Sequence, residues 1–100
     1  SATVLQTASD KGIYAFGNTN DQLDIAPKAV LTSAVKHLDV AITYLAELAQ
    51  KKELKGEVYK LGLERPDILT LGKFSDAVPQ AVQKQVLNVK QQIIDKKITL

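Results

Sequence analysis

The chain has 100 residues, 45% hydrophobic and 24% charged, with 13 basic against 11 acidic side chains and a net charge of +2. That balance argues against nucleic acid or an anionic membrane surface as a partner, and the length allows one small domain or part of a larger one. Lack of cysteine excludes disulfides, thiolate zinc sites and a cysteine nucleophile, and no apolar run approaches the ~18 residues of a membrane span.

Val4, Leu5 and Ala8 give Ala2 to Lys11 a short helical spacing, and Gly12 suits the left-handed stop that follows. Ile13 to Phe16 reads as a buried strand ending at Gly17, with Tyr14 and Phe16 in the core. Next comes a polar loop carrying Asn18, Thr19, Asn20, Asp21, Gln22 and Asp24, closed by Pro27. Helix, glycine, strand and polar loop is the rhythm of an α/β unit. Val30 and Leu31 form a second short extended piece, after which Thr32 or Ser33 can cap a helix. Leu31, Ala34, Val35, Leu38, Ala41, Ile42, Leu45, Leu48 and Ala49 recur at three- and four-residue spacing, one stripe on a helix of about five turns. Lys51, Lys52 and Lys55 crowd its end, where positive charge suits the macrodipole.

Glu57 to Leu63 alternates as a strand, Glu64 to Asp67 reads as a turn, and Ile68 to Phe74 is a further strand, so that the two could pair as a hairpin. The last helix begins near Pro79, with Val82, Val86, Val89 and Ile93 on one stripe. The expected order is helix, strand, helix, strand, strand, helix. A strand as apolar as IYAF wants cover on both faces. So short a chain has few elements to supply it, which suggests that some packing partners lie outside these 100 residues.

Catalytic motifs are missing. Ser33 sits in no GxSxG elbow, and the scattered glycines allow neither GxGxxG nor GxxxxGK. His37 is the single histidine and reads as a surface residue of the long helix. Asp21 and Asp24 read as solvated loop acids, and Lys84, Lys90, Lys96 and Lys97 as the wet face of the last helix. The sequence therefore predicts no enzyme, no cofactor and no metal site. The loop from Gly17 to Gln22 is the better candidate. It follows the carboxyl end of a strand, where open α/β sheets bind ligands, and its amide, hydroxyl and carboxylate groups can recognise a sugar or base without covalent chemistry.

The segments GIYAFGNTNDQ, IAPKAVLTSAVKHLDVAI, GEVYKLGLE and FSDAVPQAVQKQVLNVKQQIIDKKI, in that order, resemble the C-terminal part of the basic membrane protein family of substrate-binding lipoproteins. That resemblance implies a type I periplasmic-binding-protein fold of two lobes. Residues 1–100 would be the C-terminal portion, with strands that cross the hinge, and the N-terminal lobe, signal sequence and lipid-bearing cysteine would lie outside this chain. It also implies capture of a nucleoside-like solute between the lobes, delivery to an ABC transporter permease, and a lipid-anchored extracytoplasmic location for the full-length parent. A ligand-sensing, transcriptional-activator-like role is the alternative within the same family.

Asp21 and Gln22 match the family's D-Q pair, and Lys36 matches the lysine of its V-L-T-S-x-V-K segment. Thr19 stands where nucleoside-binding members often carry an aspartate for the ribose hydroxyls, and Asn18 or Asn20 could share its role. The expected ligand-binding residues are thus Asn18, Thr19, Asp21, Gln22 and Lys36. The isolated chain is expected to bind solute weakly, because a cleft needs both lobes to desolvate its ligand, and to self-associate through open strand edges.

Overall fold

The computed structural model describes residues 1–99. It is an α/β arrangement built on a three-stranded mixed sheet of order β1-β2-β3. Helix α1 (Ala2–Asp10) ends where expected. Gly12 takes φ +68, and the amides of Gly12 and Ile13 donate to the Ser9 and Ala8 carbonyls at 3.1 and 3.0 Å. Leu5 and Ala8, one turn apart on α1, are buried against Ala26, Ala29 and Val30, with Ala15 and Leu23 packed alongside. This is the hydrophobic core.

Strand β1 is Ala15–Thr19 and β2 is Val30–Lys36. They run parallel, with Ala15 opposite Val30 and, after an irregularity, Gly17 opposite Ser33. The connection between them holds a 3-10 turn, Leu23–Ile25. A Cβ on Gly17 would fall onto the Ser33 hydroxyl and come within 2.9 Å of its Cβ. Glycine is what lets the two strands meet there. Helix α2 (Leu38–Gln50), strand β3 (Leu69–Leu71) and helix α3 (Gln80–Ile94) complete the chain. β3 runs antiparallel to β2, Ala34 opposite Leu71 and Lys36 opposite Leu69.

The α/β class is as expected, but several elements are not. The long helix starts at Leu38, so Thr32 and Ser33 are buried mid-strand residues rather than caps, and Ala34 and Val35 belong to β2. A run such as VLTSAV satisfies helical and buried-strand spacing alike, and pairing to strands on both sides decides for the sheet. His37 takes the N-cap position of α2 instead of its surface. Glu57 to Leu63 forms no strand and so makes no hairpin with the segment after it; β3 takes the second edge of β2 instead. The turn before β3 folds back on α2, where the Arg65 guanidinium stacks 4.4 Å from the centre of the Tyr44 ring and grips Asp67 at 3.0 and 3.1 Å.

Tyr14 and Phe16 are not in the core either. Phe16 is 69% exposed. It borders a groove of about 360 Å³ whose other walls include Leu31 and Leu71 of the sheet and Val82 and Val86 of α3. α3 leans over this face without closing on it. Packing between elements is concentrated on α1, the 3-10 turn and the sheet, and α2 and α3 stand largely clear. The radius of gyration, 16.3 Å, exceeds the ~13 Å of a compact domain of this length.

Candidate functional site

β1 and β2 are parallel neighbours, so their carboxyl ends emerge side by side. Beyond them lies an open cleft of about 480 Å³. One wall is Thr19, Asn20 and Asp21, where β1 passes into its loop; the other runs from Val35 to Asp39, where β2 passes into α2. Parallel strands of α/β proteins present ligand sites at this end.

Thr19, Asp21 and Lys36, three of the five residues picked from sequence, line the cleft together although 17 positions separate the first from the last. Asn18 and Gln22 lie behind it and shape the loop. The Asn18 N–H donates to Gln22 Oε1 at 2.9 Å, Asn18 Oδ1 accepts the Thr19 N–H at 3.0 Å, and the Gln22 N–H donates to the fully buried Ser33 hydroxyl at 3.1 Å. Asp21 accepts two backbone amides, that of Leu23 at 3.3 Å and that of Lys73 at 2.9 Å.

Thr19 has φ +74, a left-handed conformation that a β-branched residue seldom adopts. The sharp change of direction it makes ends β1 and turns Asn20 into the cleft wall, and such strain gathers at binding sites. Lys36 is exposed, and among the described residues no carboxylate lies within ion-pair distance of its ammonium, so the charge is available to a ligand oxygen. The His37 N–H donates to the Ile68 carbonyl at 2.7 Å, which fixes the end of β2 against the chain entering β3. Asp39 lies in the first turn of α2, where the helix dipole favours a carboxylate.

Sequence reasoning missed His37, Leu38 and Asp39 as wall residues. The apolar spacing places them within a long helix, and only the switch from strand to helix at His37 brings them to the cleft. The one available signal was the K-x-x-D spacing of Lys36 and Asp39. Among the described residues no three His, Cys, Asp or Glu side chains gather as a metal site, and no helix is long and apolar enough to cross a membrane.

A mixed α/β sheet with a polar cleft at the carboxyl ends of its parallel strands is the architecture of a periplasmic-binding-protein-like lobe. The family model "ABC transporter substrate-binding protein PnrA-like" (Bmp) matches residues 1–100, and the chain belongs to that family. It is 34% identical over 83 residues to the transcriptional activator protein med of Bacillus subtilis (strain 168), covering 83% of this chain and 26% of that protein. It also superposes with a TM-score of 0.84 and 27% identity on the crystal structure of a transcriptional activator of the comK gene from Bacillus halodurans, covering 97% of this chain and 34% of that one. The chain therefore spans about a third or less of the length of these relatives.

Proposed function

We propose that this chain forms one wall of the solute site of an ABC-importer substrate-binding protein, and that the solute is a nucleoside or a related purine or pyrimidine compound. The observation that carries this is the meeting of Thr19 and Lys36 in one polar cleft at the carboxyl ends of β1 and β2. An uncommitted ammonium beside a hydroxyl and the neighbouring Asn20 suits an oxygen-rich ligand bound by hydrogen bonds. Thr19 offers a single weaker acceptor where a carboxylate would take two hydroxyl donors, so ribose contributes less to affinity than in members with aspartate there. Such a cleft is a half-site. Its second wall is the N-terminal lobe of a longer parent, which delivers solute to a permease from a lipid-anchored, extracytoplasmic position. Without that lobe, the apolar face around Phe16 and the outer edge of β1 favour self-association of the 100-residue chain.

A second reading has an observation of its own, the names of the two relatives: a solute-responsive regulator. Both readings need the cleft to bind solute. They differ in what the rest of the parent carries, a lipid-modified cysteine or a DNA-binding helix-turn-helix.

The test is calorimetric titration of the full-length parent with purine and pyrimidine nucleosides and free bases, repeated on Lys36→Ala. Binding at micromolar or tighter concentration that collapses in the variant is expected. Silence across the panel would overturn the nucleoside reading, and unchanged affinity in Lys36→Ala would remove that lysine from the site.

A further inference from the structure

Asp21 looks from sequence like a ligand acceptor, yet each of its carboxylate oxygens accepts a backbone amide. Oδ1 accepts the Leu23 N–H, two residues on, and Oδ2 accepts the Lys73 N–H, 52 residues on, at 2.9 Å. Among the described residues neither amide has a backbone carbonyl partner, so the carboxylate is what satisfies both. The contact also dictates what can stand at position 72. A Cβ there would come within 2.8 Å of the Asp21 carboxyl carbon, so only glycine lets the carboxylate approach this backbone.

From this the geometry points to Asp21 as a positioning residue: a latch that holds the cleft loop against the chain leaving β3, with solute contact left to Thr19, Asn20 and Lys36. The inference rests on the cleft being the solute site and divides the labour within it. The Gln22 N–H on the buried Ser33 hydroxyl anchors the same loop from beneath, so the loop is fixed to β2 on one side and to the β3 exit on the other. Hydrogen bonds from amides to a carboxylate are about twice as strong as neutral ones, which suits a link between segments that share no strand pairing. The Gly72 N–H in turn donates to the Ser33 carbonyl at 2.8 Å, so the latch closes onto backbone already tied to the sheet. Solute pressing on Thr19 and Asn20 then meets a wall with little freedom to yield, and little binding energy is spent ordering it.

The experiment compares Asp21→Ala, Asp21→Asn and Gly72→Ala by amide hydrogen exchange and, in the full-length parent, by titration with the nucleoside panel. Loss of a charge-assisted hydrogen bond should speed Lys73 amide exchange about tenfold in Asp21→Ala. Asn retains one acceptor oxygen, so at least one of the Leu23 and Lys73 amides should stay slow. Gly72→Ala leaves the carboxylate in the chain but pushes it away, and should also speed exchange at Lys73. Solute affinity should fall in Asp21→Ala and largely return in Asp21→Asn. Unchanged Lys73 exchange in Asp21→Ala would overturn the latch. So would equal affinity losses in the Ala and Asn variants with Lys73 still slow in Asn, the mark of a direct charged contact to solute. If no nucleoside binds the wild type, the ligand reading fails and the exchange data still decide the latch.

Discussion

Residues 1–36 and residues 38–94 carry similar apolar patterns and use them differently. In the first region α1, β1 and β2 close on one another around Leu5 and Val30, which are almost wholly buried, while Val4, Tyr14 and Phe16 face outward. In the second, α2 and α3 are equally amphipathic, yet Ile42 of α2 is 67% exposed, and Val82 and Val89 of α3 are exposed as well. Apolar periodicity records that a face is meant to be covered; it does not record by what. The cleft lies on the boundary between the regions, with one wall at the end of the packed part and the other at the start of α2.

The largest expected effect tests that contrast directly. Leu5→Ala should cost about 2–4 kcal/mol in urea unfolding of the chain, as core truncations do, whereas Ile42→Ala should cost under about 0.5 kcal/mol. Similar losses at the two sites would mean that α2 packs in solution, and the contrast would fail. Gly17→Ala comes next. Crowding Ser33 at the β1–β2 junction should destabilise by about 1–3 kcal/mol, while Gly12→Ala, with nothing within 4 Å, should lose only the ~1 kcal/mol owed to its positive φ. A tolerated Gly17→Ala would show that the strands can part at this irregularity.

Thr19→Gly sharpens the picture at the boundary. A strand threonine replaced by glycine ordinarily costs about 1 kcal/mol, but the left-handed φ of Thr19 should cancel that cost or reverse it slightly. A loss well beyond that, read from the thermal midpoint, would mean that the side chain supports the loop in some other way. The smallest effect belongs to the second region. The Arg65 fork, and then its positive charge, hold the Asp67 carboxyl below the usual carboxylate range. A lowered folded-state value contributes stability above the unfolded pKa near 4, lost as pH falls through the folded value. Wild type should therefore lose slightly more stability than Asp67→Asn between pH 6 and pH 3, and the difference should shrink in high salt because the pair is exposed. An acid loss identical in the two proteins would leave the pair without a part in fixing the turn against α2.

Much of this was legible from residues alone. The stop at Gly12, the turn at Glu64 to Asp67 and the start of the last helix near Pro79 each rest on local backbone preference, which acts over a few residues whatever surrounds them. The polar stretch after the apolar strand residues was visible as a candidate site for the same reason, short hydrogen-bonding side chains gathered near a strand end. Pairing with β2, however, shifts the strand from 13–16 to Ala15–Thr19, so Asn18 and Thr19 belong to β1 and not to the loop. Tertiary structure decided the rest. Whether VLTSAV is strand or helix depends on partners at residues 15–19 and 69–71, and whether Phe16 is buried depends on a layer that α3 does not complete. Asp21 shows the difference most clearly. Its place in a D-Q pair is a fact of sequence, but what its carboxylate holds is set by a backbone amide 52 residues away, and only folding brings the two within hydrogen-bond reach.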